Sequence, residues 1–279
     1  MSGEENYCFD LVRKIDKDRF LATLFAPEKK RVHLLALYAF NAEIIRARDV
    51  VSEPAVGEIR LQWWLDALDA IYAGDLQDHP VAICLSHAIT EYQLPKQALQ
   101  NLVKAHIFDF YSDPMPTFDE LEGYLGDTSS ALIQLASLIL VGEQALLHAE
   151  ASGLAGVASG LAALLRNLPL QQSRNQFFIP QDMFSVADRP IDQTGSVGLP
   201  KLRAVEKLVK KARERIFEAR VLRYTIKPNA MPAFLPVALT DLYLKQITKT
   251  GGQIFNQSVM VPQWRRQWTL WNAARRNTF

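Results

Sequence analysis

An all-α fold follows from three observations on the sequence. Apolar residues recur at helical spacing along most of the chain, period-two alternation is nearly absent, and proline and glycine fall where helices end. Leu34, Leu35, Leu37, Tyr38, Ile44 and Ile45 trace a first helix that runs to Val51. Ser52-Glu53-Pro54 then reads as a stop and restart. Proline fits the first helical position because its missing N–H has no partner there, and Ser52 or Glu53 can cap the turn before it. The next helix, Pro54–Tyr72, carries Ile59, Trp63, Leu65, Leu68 and Ile71 and is closed by Gly74 and His79-Pro80. Helical patterns follow over Val81–Tyr92, Lys96–Tyr111, Phe118–Leu140, Gly153–Leu168, Leu202–Tyr224, Met231–Lys249 and Pro262–Arg275. The one long irregular connection runs from Asp188 to Pro200. With no internal repeat and no low-complexity linker, residues 1–279 read as a single domain.

Composition narrows the function classes. A 279-residue chain that is 49% hydrophobic and 22% charged can bury a large core as a soluble or peripheral protein. Its net charge of +1 gives no reason to expect nucleic acid as a partner. Cys8 and Cys84 lack metal-ligand spacing, so a reducing, cytoplasmic setting is expected. The start, MSGEENYCFD, is acidic and shows no targeting pattern. The apolar runs Ala131–Val141 and Leu154–Leu165 fall short of the roughly 18 residues that a membrane span needs. No histidine pair has zinc spacing, and no nucleotide-binding glycine loop or nucleophile elbow is present. Gly153, Gly156 and Gly160 share one helix, where each glycine costs roughly 1 kcal/mol relative to alanine. Their presence implies close approach of either a neighbouring helix or a ligand.

Two segments carry the chemistry. Tyr38–Trp64 sets Glu43, Arg46, Arg48, Asp49, Glu53, Glu58 and Arg60 into an otherwise apolar stretch, and Arg166–Pro180 reads RNLPLQQSRNQFFIP. Together with Ala36–Phe40, Arg60-Leu61-Gln62-Trp63-Trp64, His79-Pro80-Val81 and Tyr124–Leu140, they resemble the squalene/phytoene synthase family. Members of that family join two isoprenyl diphosphates head to head. The resemblance implies an isoprenoid-synthase-like (terpenoid synthase) helical bundle around a central apolar cavity, with the two segments facing each other at its mouth. It also implies an Asp-Asp-x-x-Asp cluster and an Asp-x-x-x-Asp cluster that hold magnesium against the diphosphate. Those acids fall here on Ile45, Arg46 and Asp49, and on Asn167 and Gln171. Neutral amides supply no counter-charge and Arg46 supplies the wrong sign, so the expectation is no catalytic residue, no metal ligand and no cofactor. Magnesium enters only under the alternative, an active head-to-head prenyl-diphosphate transferase with an altered site.

A narrower resemblance rests on Ala39-Phe40-Asn41, Glu43, Asp49, Val51-Ser52-Glu53, Gly57, Arg60, Gln62, Trp64, Ser173-Arg174 and Phe178-Ile179-Pro180. These look like the subgroup that includes the mitochondrial complex I assembly factor with a phytoene-synthase-like domain. That resemblance implies a role in building respiratory NADH:ubiquinone oxidoreductase, peripherally at the inner membrane, with an isoprenoid or another lipid in the cavity and a respiratory subunit as partner.

The polar set expected at the cavity mouth is Tyr38, Asn41, Glu43, Arg46, Asp49, Glu53, Arg60, Gln62, Arg166, Asn167, Gln171 and Arg174. Arg46 and Asp49 are three apart and Asp49 and Glu53 four apart, which places them on one face if the helix persists. Three readings stay open. Arg46 pairs internally with Asp49, Glu53 or Glu43; or the arginines recognise a phosphate-bearing ligand directly; or the charges are solvated surface. At the end of the chain, six Lys/Arg and no acid follow Leu242, and Trp264, Trp268 and Trp271 lie at i, i+4 and i+7 beside Arg265 and Arg275. Such a stripe either closes the bundle or meets a membrane or a partner.

Overall fold

The computed structural model describes residues 2–51, 53–75, 77–184 and 198–279. The connection expected from Asp188 falls outside the described residues as far as position 197.

Two helices absent from the sequence reading begin the chain. α1 (Gly3–Ile15) opens with a capping box, in which Ser2 accepts from the Glu5 amide and Glu5 accepts from the Ser2 amide. α2 (Lys17–Thr23) is capped by Asp16, which accepts from the Arg19 amide. α3 (Glu28–Ala47) ends earlier than its apolar periodicity suggests, and the chain tightens into a 3₁₀ turn at Arg48–Val50. α4 (Pro54–Ala73) starts on its proline and stops at Gly74, whose φ of +91° is the left-handed conformation that favours glycine. α5 (Pro80–Tyr92) is capped by the His79 ring, and α6 (Lys96–Ala105) gives way to a 3₁₀ segment at His106–Phe110.

The expected single helix from Phe118 to Leu140 is three pieces. α7 (Phe118–Leu125) passes through a wide π turn at Gly126–Ser130 into α8 (Ala131–Val141). Gly126, Thr128, Ser129 and Ser130 are weak helix formers, and their hydroxyls compete for backbone partners: Thr128 donates to the Tyr124 carbonyl and Ser130 to that of Gly153. After a 3₁₀ run at Gly142–His148 come α9 (Ala149–Arg166) and the short α10 (Leu168–Ser173). α11 (Leu199–Val221) follows. The expected helix from Met231 is then interrupted, as α12 (Met231–Phe234) leads through 3₁₀ geometry at Leu235–Leu239 into α13 (Thr240–Thr250). Pro236 lies within that interruption, lacking the N–H that an α-helical interior requires. α14 (Gln263–Arg276) ends the fold. Among the described residues there is no β-strand, only an isolated bridge between Pro114 and Phe177.

α9 lies at the centre, packed along α11 and against α8, α13 and the π turn. Ala151, Ala155, Ala158, Leu161, Ala162 and Leu165 are almost fully buried, as expected of a helix covered on most sides. Its glycines divide by role. A Cβ on Gly156 would lie 2.3 Å from the Ser130 Cα, and one on Gly160 would lie 2.6 Å from Leu125 Cδ2, whereas one on Gly153 would meet nothing within 4 Å. By length and composition the Phe118–Arg166 stretch has a window that could cross a membrane, with mean hydropathy 1.6. Half of that window is buried within the bundle, where its pieces serve as core walls.

Candidate functional site

Between the C-terminal end of α3 and the junction of α9 with α10 lies a cavity of two adjoining compartments, about 290 and 260 Å³. Both are walled by Arg19, Ile45, Ser129, Leu132, Ala163 and Asn167. The wide π turn delivers Ser129 to both compartments and Thr128 to the larger one, while Gly160 on α9 keeps the opposite wall low.

Seven of the expected residues line these walls: Asn41, Asp49, Gln171 and Arg174 in the larger compartment, Tyr38 and Arg166 in the smaller, and Asn167 in both. The two signature segments meet directly, through an ion pair between Arg174 and Asp49. Gln171 donates its Nε2 to the Leu164 carbonyl at 2.8 Å, leaving its buried Oε1 without a partner. Ile45 stands on both compartments' walls with 41% of its surface exposed, at the first of the positions where the family resemblance implies an acid.

The other five lie off these walls. Arg46 is bound to Glu43 one turn back on α3, at 3.2 Å, and Glu43 also accepts from the Tyr7 hydroxyl at 3.1 Å. Of the three partners left open for Arg46, Glu43 is the one it takes, and no link to Asp49 or Glu53 forms. Regular helix stops at Ala47, Asp49 reaches across to Arg174, and Glu53 is exposed at the restart before α4. Arg60 is exposed, and Gln62 bonds Asp66 along the outer face of α4. Arg46 is therefore a half-exposed pair member, its side chain 37% exposed. Arg46→Leu is expected to cost no more than about 1 kcal/mol in a denaturant melt, because Glu43 keeps Tyr7 and such pairs contribute little.

Most of the remaining cavity charges come from residues outside the expected cavity-mouth set. Arg19 on α2 binds Asp16 at 2.5 Å and lies over the Tyr38 ring, 5.8 Å from its centroid. Burial drives the Tyr38 hydroxyl well above its usual range, with Arg19 pulling the other way. Arg48 donates to three backbone carbonyls, Asp109 at 3.0 Å and Val51 and Arg174 at 3.4 Å. Asp109 gathers His106 at 2.6 Å and the Tyr124 hydroxyl at 2.9 Å, and Tyr124 is raised by burial and then by Asp109. Arg166 lies 4.1 Å above the Tyr243 ring and 3.9 Å from Asp18, which also accepts from Tyr243 and from Arg266 at 2.6 Å. Burial pushes Tyr243 to about 12, with Asp18 adding to the shift and Arg166 opposing it. Four arginines (19, 48, 166 and 174) thus face four aspartates (16, 18, 49 and 109), and each side chain already has a partner. The one sequence signal for Asp109 was His106 three residues before it. Asp16 and Asp18 lie in a segment that carries no motif.

The tryptophan stripe faces outward. Trp264, Trp268 and Trp271 are 65%, 62% and 45% exposed, while Leu270 and Ala273 point inward beside Arg266. Closure of the bundle by α14 falls to that inner face, with no tryptophan in the core there.

The cavity is not the wholly apolar one the family resemblance implies, since charged side chains interrupt its apolar walls, but the helical architecture around it is that of the terpenoid-synthase-like folds. It superposes on the crystal structure of a dehydrosqualene synthase with ligand with a TM-score of 0.80 at 17% identity, covering 98% of this chain and 96% of that one. Residues 12–272 match the squalene/phytoene synthase family model, and the chain belongs to that family. Similar relatives include the NADH dehydrogenase (ubiquinone) complex I assembly factor 6 of Bos taurus, 31% identical over 92% of this chain and 78% of the relative. The Homo sapiens protein of the same name is 30% identical with the same coverage.

Proposed function

We propose that this chain is a non-catalytic member of the squalene/phytoene synthase family that helps to assemble respiratory NADH:ubiquinone oxidoreductase and keeps its cavity for a neutral lipid. The observation that carries the reading is the Asp49–Arg174 pair, which closes a salt link between the two segments where the family resemblance implies magnesium. A diphosphate leaving group brings about three negative charges, and magnesium clusters answer them with several carboxylate oxygens. Here the aligned positions supply one carboxylate, already neutralised by a guanidinium, together with Ile45, Asn167 and Gln171. Among the described residues no three His, Cys, Asp or Glu side chains converge as metal ligands, so the residues present do not fit that cluster. Arg19, Arg166 and Arg174 are each set against an aspartate and Arg48 is tied to backbone carbonyls, so most of the cavity's positive charge is already answered from within the protein. Two polar atoms of cavity-lining residues, Gln171 Oε1 and His106 Nε2, are buried without a hydrogen-bond partner, and both belong to neutral-ligand rather than diphosphate chemistry. The assembly role rests on the relatives of that name at about 30% identity.

Two measurements test the reading. Incubated with farnesyl or geranylgeranyl diphosphate and magnesium or manganese, the protein is expected to yield no squalene- or phytoene-length hydrocarbon. Metal-dependent turnover would establish a synthase instead. Removing the gene from its own host is expected to lower assembled NADH:ubiquinone oxidoreductase on native gels, with recovery when the wild-type chain is returned. Unchanged complex levels would defeat the assembly role.

A further inference from the structure

We propose that the outer stripe of α14 is a docking surface for an anionic lipid bilayer. The inference goes beyond the assembly role and does not rest on it. α14 has two opposed faces at helical spacing. Arg266, Leu270 and Ala273 point inward, with Arg266 held by Asp18 at 2.6 Å. Trp264, Trp268, Trp271 and Arg275 follow the i, i+4, i+7, i+11 line on the other side. The inner contacts fix the rotation of the helix, and the Arg223 and Arg220 guanidiniums hold its C-terminal end through the Asn277 and Phe279 carbonyls. The exposure of the tryptophans is therefore built into the packing.

Three outward indoles on one helix are unusual on a protein surface, since large aromatic residues normally bury their area. Here they form a coherent patch: Trp268 and Trp271 stack at 5.1 Å, and Met260, just before the helix, is 81% exposed. Arg265 lies over Trp264 at 5.2 Å and Arg275 over Trp271 at 5.4 Å, so the cations sit at the edges of the apolar stripe. The charge around the patch selects the occupant. Arg265, Arg275 and Arg276 on the same helix are exposed, Arg266 is neutralised by Asp18, and no acid follows Asp241 in the chain. An aromatic belt flanked by uncompensated cations matches the headgroup region of an anionic bilayer, where indole rings sit at the interface and each basic residue adds attraction.

The experiment uses the full chain with phosphatidylcholine vesicles prepared with and without phosphatidylglycerol. Wild type is expected to sediment with the anionic vesicles alone, with tryptophan emission moving to shorter wavelength and binding weakening as salt rises. Replacing Arg265, Arg275 and Arg276 by glutamine is expected to weaken binding about a hundredfold, since each cation contributes roughly fivefold at such a surface. Trp264→Ser with Trp268→Ser and Trp271→Ser is expected to abolish binding while leaving the melt unchanged. Should that triple variant melt early, the single Trp268→Ser variant and the arginine set carry the test. The proposal fails if wild type does not bind anionic vesicles, or if the folded tryptophan variants bind as well as wild type. It fails too if light scattering shows the stripe buried in a dimer that excludes lipid.

Discussion

Gly156→Ala is expected to lower stability by roughly 2–3 kcal/mol, while Gly153→Ala, three residues earlier on the same helix, raises it by roughly 0.5–1 kcal/mol. Both changes add one methyl group to α9, and both remove the same backbone entropy from the unfolded chain. They differ in what the methyl meets. At position 156 the new Cβ would lie 2.3 Å from the Ser130 Cα and 2.5 Å from its amide nitrogen, so backbone must move. The segment that must yield is the π turn that delivers Ser129 and Thr128 to the cavity, and it is tied to α9 through the Ser130–Gly153 bond. Position 153 has open space around its Cβ. Chemical denaturation of the two variants beside wild type checks the sign of each. Equal destabilisation would mean that the helix tolerates no change at either site, and equal stabilisation would mean that the contact with Ser130 relaxes freely.

That contrast marks where sequence reading succeeds and where it stops. Helical periodicity predicts α4, α5 and α14 to within a residue or two, because each is bounded by a proline or glycine whose effect is local. The close approach implied by three glycines is likewise legible, but which of them touches what depends on a turn thirty residues upstream. The interruptions at Gly126–Ser130 and Leu235–Leu239 were missed because apolar spacing continues through them while hydroxyl bonding or a missing N–H changes the backbone. For the site, matching the two signature segments to the family pattern predicts that Asp49, Asn167, Gln171 and Arg174 come together, and they share one compartment. Alignment to a metal position wrongly places Arg46 at the cavity mouth, whereas the pairing with Glu43, one of the three partners its spacing leaves open, is the one that forms. Arg19, Asp18 and Asp109 belong to segments without any motif, and their convergence is a property of the tertiary fold alone.

Asp18→Ala is expected to destabilise the fold by about 3 kcal/mol. Asp18 accepts from the Tyr243 hydroxyl and from Arg266, and Arg166 stands 3.9 Å away. The side chains of Asp18 and Arg266 are 16% and 17% exposed, too buried for water to replace the lost partner fully. Arg266 already has a buried Nε without a hydrogen bond, so losing its carboxylate strands most of a guanidinium in the interior. The damage should concentrate on α14, whose inner face would keep little beyond Leu270, Ala273 and the two carbonyl contacts at its end. Amide hydrogen exchange is the matching readout: faster exchange along α14 in the variant, with α9 protected to the same degree as in wild type once global stability is allowed for. Asp18→Leu combined with Arg266→Leu is expected to recover part of the loss, because one of the two stranded cations leaves with its partner. If instead Asp18→Ala melts within about 0.5 kcal/mol of wild type, as an ordinary surface substitution would, the cluster is solvated in solution and α14 is held by its apolar inner face alone.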